Sequence, residues 1–393
     1  MFTAEFVNMI TENLGADRAS SILAALSEAP LVSVRVNPFK ISLERLKEHF
    51  GEIAGEPVPW APGEAFYLKE RPSFTLDPLF HCGAYYVQEA SSIFVGTLFD
   101  RAVSELGGES LNVLDLCAAP GGKTTQIMSH LPDGANLTAN EVIGSRVPIL
   151  AENVAKWGGC GVTVTCSDAS CFGKAAGGRD GISYGIIVAD VPCSGEGMFR
   201  KGEQAEQNWS VNNVMLCAAR QRRIVSDVWP ALRDGGFLIY STCTFNRYED
   251  EENVEWICSN LGAKCLAQRH FYPGEDPGEG FFAALLRKEG EYRPNKNRRQ
   301  SKSPYHIYES AFPQADEALS VSLDRSRYPV VDLSREDALK FLAKEPLVFQ
   351  DSPLGLLLLT YKDIPMGFVK NLGRRSNNLH PQPRRIRTLT QPR

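Results

Sequence analysis

The feature that most constrains this chain is a regular alternation, between residues 111 and 260, of short apolar runs with helix-length amphipathic stretches. Leu111–Leu116, Asn136–Asn140, Val162–Cys166, Ile186–Ala189 and Phe237–Tyr240 read as strands. Helices are expected over Gly122–Ser129, Ser145–Trp157, Val214–Trp229 and Glu249–Asn260. The central strand runs are continuously apolar, as strands covered on both faces are, so the pattern predicts a parallel, doubly wound α/β sheet. Ligands of such sheets gather at the carboxyl ends of the strands.

Those ends are where the chemistry-bearing residues fall. After the first strand comes Asp115-Leu116-Cys117-Ala118-Ala119-Pro120-Gly121-Gly122-Lys123-Thr124-Thr125. Small residues there let the backbone approach a ligand, and a helix amino terminus offers free N–H groups to it. Gly122-Lys123-Thr124 fits the end of a phosphate-binding P-loop, but Cys117 stands where the first glycine is required, which excludes that reading. Glu141 ends the second strand and Asp168 follows the third. Two acids in register with a glycine-rich turn favour a nucleoside-containing cofactor, because an acid after the second strand typically grips ribose hydroxyls.

Two cysteines close the constellation. Asp190-Val191-Pro192-Cys193 follows one apolar strand, and Ser241-Thr242-Cys243-Thr244-Phe245 follows another. Cys193 opens a sharp loop, Ser194-Gly195-Glu196-Gly197, with no packing logic for a core cysteine. Cys243 sits in a Ser/Thr-rich turn, and Arg200 and Lys201 are expected as its basic neighbours. A thiol with a free pKa near 8.5 needs such an electropositive or dipole-favoured setting to react readily.

The flanks divide the chain. Residues 1–79 alternate helical and extended signals and read as a small α+β domain; a helix is expected from Gly83–Ser92 onward, opening an α/β domain over 80–289. A Pro- and Asn-containing linker, 290–304, precedes a third, mixed domain over 305–393, where Leu347–Phe349, Leu356–Tyr361 and Met366–Val369 look extended and Arg335–Leu342 helical. The net charge of -5 disfavours a nucleic-acid partner only as a global sum. Arg287–Lys302 holds seven basic residues against two acidic ones, and Lys370–Arg393 seven against none, local patches able to hold phosphate. The ten cysteines form no CxxC pair, which predicts free thiols in a reducing cytoplasm. Residues 1–15 read as an amphipathic helix and not a signal peptide, and the longest apolar run, Leu354–Leu359, is far too short to span a bilayer.

The motifs Asp115–Thr125, Asp190–Lys201 and Ser241–Phe245 resemble those of the Nop/Sun family of S-adenosylmethionine-dependent RNA 5-methylcytosine methyltransferases. Arg35-Val36-Asn37 and Gly83–Ser92 add to the likeness, and Gly367-Phe368-Val369-Lys370 is similar to the RNA-binding tail of the bacterial rRNA-modifying branch. The resemblance implies a Rossmann-like class I methyltransferase domain with a mostly parallel sheet, flanked by a small N-terminal α+β domain and a C-terminal α+β RNA-binding domain. It implies that Cys117, Ala118, Ala119, Pro120, Gly121, Gly122 and Lys123 hold the methionine and ribose portion of S-adenosyl-L-methionine, Glu141 the ribose with support from Arg146, and Asp168 the adenine. Asp190 is assigned to the cytosine and counted with the cofactor residues, Cys243 is the nucleophile, and Cys193 assists product release.

A DNA-type cytosine methyltransferase would make Cys193 the nucleophile; the Thr-Cys-Thr turn and the lack of a large target-recognition insert speak against it. Methylation of a base amine would need an Asp/Asn-Pro-Pro-aromatic loop, and Val191 and Cys193 replace its first proline and its aromatic. A non-catalytic RNA-binding assembly factor is disfavoured by the presence of both thiols and the whole glycine loop. The expected partner is RNA, ribosomal in first place with transfer RNA open, contacted through Arg298, Arg299, Arg384 and Arg385. Neither metal nor membrane is expected, and a cytoplasmic monomer is. The third domain ends soon after Arg387, short of the C-terminal region of some relatives, which leaves target choice open.

Overall fold

The computed structural model describes residues 2–107, 111–159, 161–176, 182–201, 206–207, 209–290 and 305–387. The basic linker with Arg298 and Arg299 lies outside them. Three sheets organise the chain. The first takes β1 (Val32–Val36), β2 (Ala54–Pro57), β3 (Ala65–Leu68) and β4 (Tyr85–Val87) in the order β2-β3-β1-β4, with β1 antiparallel to both neighbours. The helices Ala4–Leu14 and Ala16–Leu26 precede it.

The helix expected from Gly83 does not form there. Tyr85, Tyr86 and Val87 favour a pleated surface and pair with Val36, Arg35 and Val34, so the first sheet takes a strand from beyond residue 79. Ser91–Ile93 makes a short 3-10 turn, and the helix begins only at Phe94, running to Leu106.

The second sheet has seven strands: β5 (Asn112–Asp115), β6 (Asn136–Asn140), β7 (Val162–Thr165), β8 (Tyr184–Asp190), β9 (Leu232–Thr242), β10 (Ala263–Phe271) and β11 (Phe281–Lys288), in the order β10-β11-β9-β8-β5-β6-β7. The pairs from β7 through β9 are parallel, and β10 and β11 close one edge antiparallel. Side chains of β8 alternate between two cores, as strand geometry requires. Ile187 and Ala189 pack with Val225 and Val254 on one face, Ile186 and Val188 with Leu98 and Ile127 on the other. That two-sided burial is why the run reads as continuously apolar. After β7 the chain returns to the far side of β5, so strand order reverses between β5 and β8. A crevice opens above such a reversal.

The third sheet has β12 (Val330–Asp332), β13 (Gly355–Tyr361), β14 (Ile364–Asn371) and β15 (Ser376–Asn378), with the helix Arg335–Ala343. Leu347–Phe349, expected to be extended, lies in no strand. Asn371 Nδ2 donates to the carbonyls of Phe349, Ser352 and Pro353, taking over the bonding a strand partner would provide. The first and third units share one hydrophobic core, in which Val34, Phe66 and Tyr85 join Phe341, Leu357 and Ile364. Arg384 fastens the third unit to the second: Nη1 lies 2.7 Å from Asp316 and Nε 3.5 Å from Glu152, with 9% of its side chain exposed. It is therefore not the free phosphate contact expected of it, whereas Arg385 is exposed.

Candidate active site

The loop leaving β5 passes directly into the helix Gly122–His130. Gly121 has φ +115°, a left-handed conformation that favours glycine, and a Cβ there would come within 3.3 Å of Asn153 Cβ. Carbonyls and amides of the loop are held in place: Ala118 N–H donates to Asn140 O at 2.8 Å, Arg146 donates to Ala119 O at 2.6 Å, and Asn153 to Pro120 O at 2.8 Å. Glu141 is buried; its Oε2 lies 3.1 Å from Arg146 Nη1 and its Oε1 accepts from Ile143 N–H at 2.8 Å. Arg146 thus ties the glycine loop and Glu141 together.

A cavity of about 340 Å³ opens over the β5/β8 reversal. Cys117, Ala118, Ala119, Pro120, Gly122, Lys123, Arg146, Asp190 and Cys243 line it, together with Tyr86, Gln88, Met198, Lys201 and Phe281. Gly121, Glu141 and Cys193 are not among the lining residues. Asp168 is exposed, and its Oδ1 accepts from Ser170 N–H at 3.0 Å at the start of the helix Ala169–Ala176. Cys117 is half-buried, and burial raises its thiol pKa, which suits a wall residue better than a reactive one.

The two thiols converge. Cys193 Sγ lies 2.8 Å from Cys243 Sγ, both cysteines are free, and the Cys243 amide donates to Cys193 Sγ at 3.3 Å. The hydrogen bond to Cys243, with burial added, holds the Cys193 thiol well above the ordinary range. Asp190 Oδ1 accepts from Ser241 Oγ at 2.8 Å, and its Oδ2 meets Lys123 Nζ at 2.8 Å. Burial lowers the Lys123 pKa, but the charge and hydrogen bond of Asp190 outweigh it and the net shift is upward. Lys123 therefore stays a cation beside Asp190, a side-chain position the loop motif alone does not reveal.

Arg200 is not the neighbour of Cys243. It is buried in an ion pair with Glu279, Nε to Oε2 at 2.7 Å, and also donates to Gly278 O. Lys201 does reach the cavity wall.

Sequence reasoning missed the buried acids behind the thiols. Glu249 accepts from Ser194 N–H at 3.0 Å, from the Ser194 hydroxyl, from Gln221 at 2.6 Å and from Asn246 at 2.9 Å. Glu196 accepts from Phe245 N–H at 2.9 Å, Asn246 at 2.9 Å and Trp209 at 3.2 Å. Burial, with the charge of Glu249 beside it, pushes Glu196 up to about 7. Asp250 Oδ1 receives Thr242 and Thr244, the two flanks of Cys243, at 2.6 and 3.1 Å. Asp250, Glu251 and His270 also bring ligand-type atoms within 4.8 Å of one another. His270 Nε2 bonds Glu251 at 2.7 Å, while its Nδ1 faces Asp250 Oδ2 at 3.9 Å. The signal for Glu249 and Asp250 was the run Glu249–Glu252 just past the Thr-Cys-Thr turn, which as sequence reads simply as an acidic helix start.

The chain is similar to known proteins along most of its length. Three consecutive family profiles match: "N-terminal domain of 16S rRNA methyltransferase RsmF" over residues 2–90, "16S rRNA methyltransferase RsmB/F" over 107–287, and "Methyltransferase RsmF PUA domain" over 328–386. Ribosomal RNA small subunit methyltransferase F of Cronobacter sakazakii is 34% identical over 316 residues, and that of Pectobacterium carotovorum 35% over 321. Each alignment takes in 74% of this chain, and the chain spans 64% and 63% of those relatives' lengths. Among solved structures, a methyltransferase homolog from Pyrococcus horikoshii superposes with a TM-score of 0.62 at 26% identity, covering 73% of this chain and 95% of that one. NSun6 from the same organism, solved with SFG, gives 0.64 at 21% identity over 74% and 99%, a likeness of fold. No helix among the described residues is long and apolar enough to cross a membrane. Over these three matched segments the chain is similar to the RsmB/F methyltransferases, in keeping with the family its motifs resemble.

Proposed function

We propose that the protein methylates C5 of a cytosine in RNA, through a covalent adduct of Cys243 with C6 that Cys193 helps to resolve. The observation that carries this reading is the pair of free thiols 2.8 Å apart, one of which, Cys243, lines the same cavity as the glycine loop. Cytosine C5 is too poor a nucleophile to take a methyl group unaided; a thiolate on C6 pushes electron density onto it. The hydrogen bond to Cys243 and burial raise the Cys193 thiol pKa, which makes Cys193 the poorer nucleophile of the pair. Asp190, held by Ser241 and Lys123, would bond the N3 side of the ring. Loss of the C5 proton and breakage of the C6–S bond then need a second group that acts as a base or organises one, which is the role given to Cys193.

The cavity fits S-adenosylmethionine by its donor set: free amides at the start of the helix Gly122–His130, small residues that keep the backbone open, and Glu141 held behind Arg146. When bound, that cofactor supplies the electrophilic methyl group. Cys117 through Lys123 would hold its methionine and ribose portion and Glu141 the ribose hydroxyls. Asp168, exposed and not among the lining residues, would hold the adenine where it extends past that lining. The target cytosine must be single-stranded or flipped out, because ring faces are inaccessible in a stack. Small-subunit ribosomal RNA is the favoured substrate, as the matched relatives' names indicate, with transfer RNA the alternative. In this reading the protein acts as a cytoplasmic monomer, and no step calls for a metal. Incubation with methyl-labelled S-adenosylmethionine and each RNA class, followed by nuclease digestion, should give labelled 5-methylcytidine from 16S rRNA in the presence of chelator. Label in no nucleoside, or in an amine-methylated one, would refute the proposal.

A further inference from the structure

The two cysteine turns are braced crosswise by carboxylates that touch neither thiol. Glu249, downstream of Cys243, grips the other turn: it takes both the N–H and the hydroxyl of Ser194, the residue after Cys193. Glu196, on the Cys193 turn, reaches the opposite way and takes the N–H of Phe245, two residues after Cys243. Asn246 donates to both acids at 2.9 Å, and Gly197 N–H donates to the Cys243 carbonyl at 2.9 Å. The space between the turns is full, for a Cβ on Gly197 would fall 2.1 Å from the Gly280 carbonyl.

Both acids are fully buried, and the donors named for them are amides, a hydroxyl and an indole. Such a network costs desolvation that well-packed apolar side chains would avoid, so its contribution lies in geometry. Each acid fixes one turn, and the turns carry thiols that act at different times.

We propose that Glu249 is the positioning residue for Cys193 and Glu196 the positioning residue for Cys243, so that weakening one slows resolution of the adduct and weakening the other slows its formation. The inference rests on the function proposed above. A misplacement of a reacting group by about 1 Å costs up to roughly 100-fold in rate, and loss of one hydrogen bond in the brace should cost roughly tenfold at the step concerned.

The test uses the full chain with RNA and S-adenosylmethionine and reads two quantities: the single-turnover rate of methyl transfer, and the fraction of protein covalently bound to RNA on a denaturing gel. Glu249→Gln, and the milder Ser194→Ala, should transfer the first methyl group at close to the parent rate and raise the bound fraction about tenfold. Glu196→Gln, and the milder Trp209→Phe, should slow the first turnover about tenfold without raising the bound fraction. Thermal melts identify any glutamine variant that fails to fold, and the milder member of each pair then decides. Both pairs slowing the same step, or all four variants matching the parent, overturns the inference while leaving the function intact. A parent protein that makes neither adduct nor 5-methylcytidine removes the function and the inference with it.

Discussion

Buried charge is handled in two ways in this molecule. At the catalytic edge between β8 and β9, Glu196, Glu249 and Asp250 are met by hydroxyls, amides and an indole. At the seams between units the partners are opposite charges: Arg384 with Asp316 and Glu152, and His130 with Glu64 and Asp100. Neutral donors fix a position without cancelling the charge and leave the proton count adjustable. Ion pairs hold pieces of chain together and, when one partner is removed, leave an uncompensated charge behind. The catalytic edge should therefore answer to mutation in rate, and the seams in stability.

The Asp190–Lys123 pair follows the seam rule within the catalytic edge, and it should give the largest effect. Asp190→Asn keeps the shape but loses the anion, and the rate of methyl transfer should fall by about 10²- to 10⁴-fold, the usual range for an acid–base group. Asp190 is a third exposed, so the melting midpoint should fall less than it does at the seams. A variant that melts early and keeps its rate would put the pair among the seams.

At the seams, Arg384→Gln should destabilise the protein by roughly 3 kcal/mol, because two carboxylates lose a buried partner. Urea unfolding measures it; an unchanged midpoint would mean that the third unit is held by apolar contacts alone. The His130 seam adds a pH signature. Burial lowers its pKa, but hydrogen bonds and charges from Asp100 and Glu64 win and lift it to about 9, from the 6.5 of a free imidazole. A raised histidine pKa stabilises the fold fully below pH 6.5, and the stabilisation is lost as pH rises through 9. The rise is worth roughly 3 kcal/mol. His130→Gln should flatten that stretch of the stability profile, which thermal melts between pH 6 and 10 would follow. The smallest effect belongs to Arg385, which is exposed. Arg385→Gln should leave stability alone and lower the slope of log affinity against log salt for RNA by about one.

Much of the second unit was legible because its strands are buried on two faces and its loops carry the chemistry. Cys193, Cys243 and Asp190 could be read from position alone, at the ends of apolar runs. Tyr85–Val87 was read as helix because three residues carry too little pattern to outweigh the helical stretch that follows, and its partner strand lies some 50 residues away. Arg200 and Arg384 looked like free cations, since a sequence does not show that Glu279 or Asp316 will fold against them. The acids Glu196 and Glu249 were invisible as a pair for the same reason: their shared donor, Asn246, is close to both only in space.

The most direct test of the account separates the two thiols. With cofactor and RNA present, Cys193→Ala should trap a covalent protein–RNA complex on a denaturing gel, because the adduct forms and is not resolved. Cys243→Ala, and the double variant, should be inactive and show no such band. A complex trapped by Cys243→Ala and absent from Cys193→Ala would reverse the roles and contradict the assignment of Cys243 as the nucleophile.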